Sequence, residues 1–287
     1  MVTPSVTGSK RGLERGRALI FFAALLWSLA GVFIKLLEIH PLAIVFYRSF
    51  FASLVFVPFL KFSQFHFNPA ILISVISYTA AITAFVSANK LTTAANAIVL
   101  QYTAPVLVYL FSRLVLGEKI STPNALALTV SMVGVVFISF DNAGEPEMSG
   151  VLLALVSGVL FAIYMVNLQQ IKKISAIYLT WLNNLVCALL VLPFVKAPFA
   201  LSSEQLLIVA IMGAVQLGLP YFLFSRGLAT IPLQEAALIA LVEPVLNPVW
   251  VALIVGEIPS FATLIGGAMI LTALAVRYLI PLLSRSD

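Results

Sequence analysis

Charge is what this sequence has least of. Asp, Glu, Lys and Arg make up 9% of its 287 residues, against 62% hydrophobic ones. A water-soluble chain of this length needs far more charge to cover its surface, which excludes a soluble globular domain. Cysteine is nearly absent: Cys187 stands alone, so an intrachain disulfide is excluded and a cysteine-based metal cluster with it. The two histidines, His40 and His66, lie too far apart for metal-ligand spacing. No Asp-rich loop, His pair or Walker-type Gly-Lys-Ser/Thr run occurs. This argues against a membrane-embedded enzyme and against ATP as the direct energy source. No cofactor is expected. The net charge of +5 is spread singly between apolar runs and forms no basic stripe, so no nucleic-acid partner is expected either.

What the sequence has in abundance is apolar stretches of bilayer-spanning length, about 17 to 25 residues each. They fall at 18–37, 41–60, 70–89, 95–115, 123–140, 150–169, 176–195, 206–225, 235–255 and 262–282. Backbone groups in lipid must be bonded within their own segment, so these are helices. The expected fold is an all-α integral membrane protein with ten transmembrane helices. Residues Met1 to Arg17 are polar and basic, and no small-residue cleavage site follows them. The apolar stretch behind them therefore reads as a first permanent span, not a removed signal peptide.

Loop charge sets the orientation. With the N-terminus inside, the cytoplasmic side receives Lys10, Arg11, Arg15, Arg17, Lys61, Arg113, Lys119, Lys172, Lys173, Arg226, Arg277 and Arg285. The other side receives Lys35, Lys90 and Lys196. That bias places both termini in the cytoplasm and marks a bacterial-type inner membrane as the location.

The chain also repeats itself at an offset of about 135 residues. Val57-Pro58-Phe59 closes the second span as Leu192-Pro193-Phe194 closes the seventh. Ala104-Pro105-Val106-Leu107 leads to Leu116-Gly117-Glu118, as Glu243-Pro244-Val245-Leu246 leads to Val255-Gly256-Glu257. Five spans per copy is an odd number, so the copies enter the membrane in opposite directions, the inverted repeat of many secondary transporters. The expected organisation is a cytoplasmic segment 1–17, a first repeat 18–140, an external linker 141–149, a second repeat 150–282 and a cytoplasmic tail 283–287.

Several short motifs carry a resemblance. Trp27-Ser28 followed by Lys35, His40-Pro41-Leu42 with Arg48, Leu116-Gly117-Glu118-Lys119, and Glu243-Pro244 with Gly256-Glu257 occur in an order that resembles paired EamA modules. These belong to the drug/metabolite transporter superfamily. Within that family the chain is most similar to exporters of aromatic amino acids, through the Gln101-Tyr102 approach to Pro105. The resemblance implies a ten-helix carrier with a cavity among the first, third, fourth, sixth, eighth and ninth helices. It implies export of small organic solutes, amino acids foremost, with aromatic and other neutral ones among them. A multidrug or other metabolite exporter is the alternative, and a channel a more distant one.

The residues themselves nominate a site. Gln101, Tyr102 and Pro105 share a broad helix face with Ile98 and Tyr109. Pro105 and Pro244 hold equivalent repeat positions, and each removes a backbone donor within a span. Tyr102 can stack on a substrate or simply pack between helices. Glu243 and Asn247 lie one turn apart, and Glu243 is the one acid well inside a span. It binds a substrate ammonium or a coupling proton, or else pairs with another buried group, for which Arg48 has the right charge. Trp27 falls near the midplane. Phe161 and Tyr164 form an i, i+3 pair in the sixth span. Tyr78 lies in the third, and Gln216 and Tyr221 lie in the eighth, where Gly213, Gly218 and Pro220 loosen the backbone. The expected partners are a small-molecule substrate and membrane lipid, with the chain acting as a monomer.

Overall fold

The computed structural model describes residues 10–61, 68–104, 148–171, 174–195, 201–228 and 242–283, with short stretches between them. Pro105 and most of the fifth span lie outside the described residues. Every regular element among them is helical. Six helices are long and apolar enough to cross a membrane: Arg11–Leu36, Pro41–Phe59, Pro69–Leu91, Met148–Leu168, Ala176–Phe194 and Ser203–Leu228. Val242–Ile254 and Phe261–Ala273 are shorter apolar helices. The chain is an all-helical membrane protein.

The first span is two helices, α1 (Lys10–Trp27) and α2 (Ala30–Leu36), broken at Ser28 and Leu29. Helix α1 starts eight residues before the apolar run, inside the segment expected to be cytoplasmic. Its Lys, Arg, Leu and Glu residues are good helix formers and carry the helix past the lipid boundary. Helix α3 (Pro41–Phe56) is capped by His40, with Pro41 in the first turn where its missing donor costs nothing. Helix α4 (Pro69–Leu91) starts the same way behind Asn68. Helix α5 (Ala94–Gln101) is capped by Thr93. It ends in a turn at Tyr102 and Thr103, and the span expected over 95–115 lies mostly outside the described residues beyond Ala104.

The second half contains α6 (Met148–Gln170) and α7 (Ala176–Val191), the latter capped by Ser175. Helix α8 (Ser203–Ile211) begins with a Ser202–Gln205 capping box. It runs through a π-helical segment, Met212–Gly218, into α9 (Leu219–Leu228). Pro220 cannot donate to the Gln216 carbonyl, and Leu219 N–H bonds Ala214 five residues back, so the widened turn follows from sequence. Helices α10 (Val242–Ile254) and α11 (Phe261–Leu283) complete the described chain.

The two halves repeat in structure as well. Helices α3 and α7 are both 16 residues long, and each ends in a three-residue 3-10 turn, Val57–Phe59 and Leu192–Phe194. They pack against each other at the centre. Helix α4 of the first half packs on α6 of the second, and α9 of the second packs on α1 of the first. Likewise α5 meets α6, as α10 meets α2. Reciprocal pairing of this kind is what two inverted, symmetry-related repeats produce.

Phe21, Phe22, Leu72, Ile76, Leu207 and Leu253 are exposed, a surface that suits acyl chains and not water. Polar groups turn inward. Ser74 donates to Asn183 at 3.2 Å, Tyr78 donates to Asn184 at 2.9 Å, and Asn167 donates to the Ala70 carbonyl at 2.7 Å. Each bond ties one half to the other.

Candidate functional site

The breaks and bulges above surround one cavity of about 100 Å³. A single water needs roughly 10–15 Å³ measured this way, so the space holds several waters or a small organic group. Trp27 and Ala30 reach it from either side of the α1/α2 break, and Gln101, Tyr102 and Ala104 from the end of α5. Phe161 and Met165 come from α6, and Gln216 and Leu217 from the π-helical segment. Phe85, Arg48, Tyr221, Phe224 and Glu243 complete its functional lining. The helix ends and irregular turns lie at the cavity, where non-helical backbone at membrane depth is tolerated.

The aromatic side is a cluster of rings. Trp27 meets Tyr221 edge-on at 4.9 Å between centroids and lies 5.2 Å from Phe224. Tyr78 and Tyr164 sit behind, 5.3 Å and 6.4 Å from Tyr221. Tyr78 is held by Asn184, and Tyr164 accepts a bond from Asn183 at 3.3 Å. These two tyrosines are buried supports of the cavity wall and not part of its lining.

The polar side carries both bonded and unbonded groups. Gln101 Nε2 donates to Ser157 Oγ at 2.7 Å, and that hydroxyl donates to the Ala81 carbonyl at 2.9 Å. Gln216 Nε2 donates to the Trp27 carbonyl at 3.3 Å, at the break of the first span. Gln216 Oε1, Trp27 Nε1 and Arg48 Nε are buried and have no hydrogen-bond partner. Leaving such groups unpaired costs about 1–3 kcal/mol each, more for a charged one. Water or the polar atoms of a solute in the cavity would satisfy them.

Tyr102 and Glu243 bridge α5 and α10. The Tyr102 hydroxyl lies 2.8 Å from Glu243 Oε2 and 2.9 Å from the Ala240 carbonyl. A hydroxyl has one proton to give. When Glu243 is ionised, Tyr102 donates to it; when Glu243 is protonated, it can donate to Tyr102, which turns to Ala240. The same three oxygens serve both states without a side-chain move.

The nominated residues thus separate. Trp27, Gln101, Tyr102, Phe161, Gln216, Tyr221 and Glu243 meet at the cavity. Asn247 does not: it is fully buried one turn beyond Glu243, with neither amide atom bonded, against Gly31 of α2. The pairing of Glu243 with Arg48 is absent, for Glu243 bonds Tyr102 instead. Arg48, Phe85 and Phe224 are lining residues that sequence reasoning did not nominate. Arg48 carried a signal, a charge within a span. The phenylalanines carried none.

Charged side chains join the helix ends at one end of the bundle. Lys35 Nζ lies 2.7 Å from Glu257 Oε2 and donates to the Thr92 carbonyl at 2.9 Å. Glu257 Oε1 accepts from Ala94 N–H at 2.6 Å, and Lys90 donates to the Leu37 carbonyl. These contacts join the ends of α2, α4 and α10 to the start of α5.

A polar, ring-lined cavity at the meeting of two inverted helical halves is the architecture of a membrane transporter. The pattern of the EamA-like transporter family matches residues 14–140 and 148–279, and the chain belongs to that family. It is 28% identical over 270 residues to an uncharacterised transporter of Archaeoglobus fulgidus, covering 93% of this chain and 98% of that one. It is 29% identical over 198 residues to the uncharacterised transporter YdfC of Bacillus subtilis, covering 67% of this chain and 64% of that one. A solved crystal structure superposes with a TM-score of 0.68 at 20% identity, over 93% of this chain and 97% of the other, a likeness of fold alone.

Proposed function

We propose that this transporter exports small organic solutes, amino acids foremost and neutral and aromatic ones among them. The carrier works as a monomer in a bacterial-type inner membrane with both termini cytoplasmic. Its repeats, 18–140 and 150–282, exchange conformations so that the cavity opens alternately to either side. The observation that carries this reading is the lining itself: clustered aromatic rings beside unpaired donors and an unpaired acceptor in one cavity. An amino acid needs both kinds of wall, apolar for its side chain and hydrogen-bonding for its head.

Trp27, Phe161 and Tyr221 receive the side chain, while Gln101, Tyr102, Gln216 and Glu243 address the polar end. Tyr78, Tyr164 and Asn247 act from behind the lining, and Pro105 has no N–H to offer the Gln101 carbonyl. Glu243 serves the substrate ammonium or a coupling proton, since its bonding to Tyr102 suits either state. Flux of labelled amino acids in vesicles of the pure protein tests this; transport of none of them sinks it.

A further inference from the structure

Among the described residues, Arg48 is a buried cation with no ion pair. It lies seven residues into α3 and eight before that helix ends, roughly 10 Å and 12 Å of helix on either side. Its side chain is 1% exposed, so it does not snorkel to an interface. Its Nε is unpartnered, and it has no ion pair among the described residues. The acid that could have balanced it, Glu243, is engaged by Tyr102. The neighbouring polar groups are no substitute: Ser49 is bonded to Cys187, and Tyr78 to Asn184. What Arg48 does face is the central cavity.

A guanidinium at membrane depth is held only where a counter-charge or a wet cavity receives it. Here the protein supplies the cavity, and its one lining acid, Glu243, is bonded to Tyr102 and makes no ion pair with Arg48. The missing partner therefore arrives with the solute. Guanidinium presents a planar fork of donors that a carboxylate accepts in two parallel bonds. Charge count favours a carboxylate over a phosphate monoester. The cavity has one cation and, at Glu243, one acid, so a dianion would be left half neutralised and repelled from that side.

We infer that Arg48 is the carboxylate receptor of the cavity, and that the transported solute carries one carboxylate together with an amine and an apolar body. This rests on the cavity being the transport site, as proposed above, and adds which end of the solute is read and by which residue. Glu243 then faces the amine, and the aromatic cluster faces the apolar body. The site as a whole is neutral when the solute is amphoteric.

The test compares four probes on purified full-length protein by titration calorimetry and thermal shift: L-phenylalanine, L-phenylalaninamide, phenylacetate and phenethylamine. The wild type should bind L-phenylalanine at least tenfold more tightly than L-phenylalaninamide and phenethylamine, and should bind phenylacetate measurably. Arg48→Met should abolish that preference while leaving phenethylamine affinity within about twofold, and Arg48→Lys should keep part of it. A wild type that binds acid and amide equally overturns the inference, and this comparison stands even if Arg48→Met does not fold. An acid preference that survives in Arg48→Met overturns it as well. So does its return in the double variant Arg48→Met/Glu243→Gln, which would make Glu243 the true partner.

The two readings fail separately. Phenylacetate binding through Arg48 with no amino-acid flux in vesicles leaves the receptor standing and removes the amino-acid carrier. Flux without acid preference does the reverse. Failure of all four probes to bind overturns the receptor.

Discussion

Lys35 and Glu257 close one end of the helix bundle with an ion pair of 2.7 Å, although they are separated by most of the chain. The loop-charge bias assigns that end to the outside. Glu257 also accepts the Ala94 amide, so one carboxylate joins the end of α10, the end of α2 and the start of α5. The pair is partly exposed, and pairs of this kind contribute about 0–1 kcal/mol. Glu257→Gln should therefore lower thermal stability only slightly. Its larger effect should be on opening. With Cys187 replaced by Ala and a new cysteine in place of Ala30, maleimide added outside should label the Glu257→Gln protein faster. Equal labelling rates would remove the pair from gating.

The Tyr102–Glu243–Ala240 arrangement makes a prediction about coupling. The hydroxyl adjusts to Glu243 in either protonation state, so a proton can come and go there without breaking the α5–α10 contact. Glu243→Gln should abolish uptake driven by a pH gradient in vesicles while leaving downhill exchange measurable. Tyr102→Phe should lower stability by about 1.5–3 kcal/mol, the worth of a hydrogen bond to a charged group, without removing the coupling. Gradient-driven transport that persists in Glu243→Gln would show that the proton passes elsewhere.

Much of the fold was legible because lipid leaves the chain so few options. Span lengths, the Pro41 and Pro69 helix starts and the twin 3-10 turns all follow from local sequence. The break at Ser28 and Leu29 had no such signal. It carries no proline, and besides the local bond of the Ser28 hydroxyl to the Leu25 carbonyl its partners, Gln216 on the Trp27 carbonyl and Trp250 on Ser28 at 3.1 Å, come from distant helices. The site shows the same division. Gln101, Gln216 and Glu243 announced themselves as polar groups in apolar helices. Phe85 and Phe224 are two of 21 phenylalanines, and only tertiary packing separates them from lipid-facing Phe21 and Phe22. Arg48 was visible as a charge, but pairing it with Glu243 assumed that opposite charges in a span must meet. Packing placed Tyr102 beside the acid instead.

Asn247 separates stability from function. Both atoms of its amide are buried without a partner, and its side chain fills the space beside Gly31, where an added Cβ would come within 2.7 Å of Oδ1. Replacing an unsatisfied polar group with an apolar one of similar shape is neutral or stabilising. Asn247→Leu should therefore hold or raise the melting temperature while reducing transport, as expected of a polar group kept at this helix crossing for its role in the moving carrier. Gly31→Val, by contrast, overfills the crossing and should cost about 1–3 kcal/mol. A large stability loss in Asn247→Leu with normal transport by the surviving protein would make the amide purely structural.

Trp27 should report directly on occupancy. The chain has three tryptophans, and only Trp27 is among the residues lining the cavity; Trp250 is bonded to Ser28, and Trp181 packs by Tyr178. Its Nε1 is unpaired, and its ring rests on Tyr221 and Phe224. A solute that enters should change both the polarity and the stacking around the indole. Titration with a transported amino acid should therefore shift or quench the intrinsic fluorescence, and Trp27→Phe should abolish that change while Trp181→Phe preserves it. Trp27→Phe keeps most of the ring packing and should stay folded. Trp27→Ala, by deleting a buried ring, should cost about 3–5 kcal/mol. A substrate-induced signal that survives in Trp27→Phe would place the bound solute away from the break in the first span, and so away from this cavity.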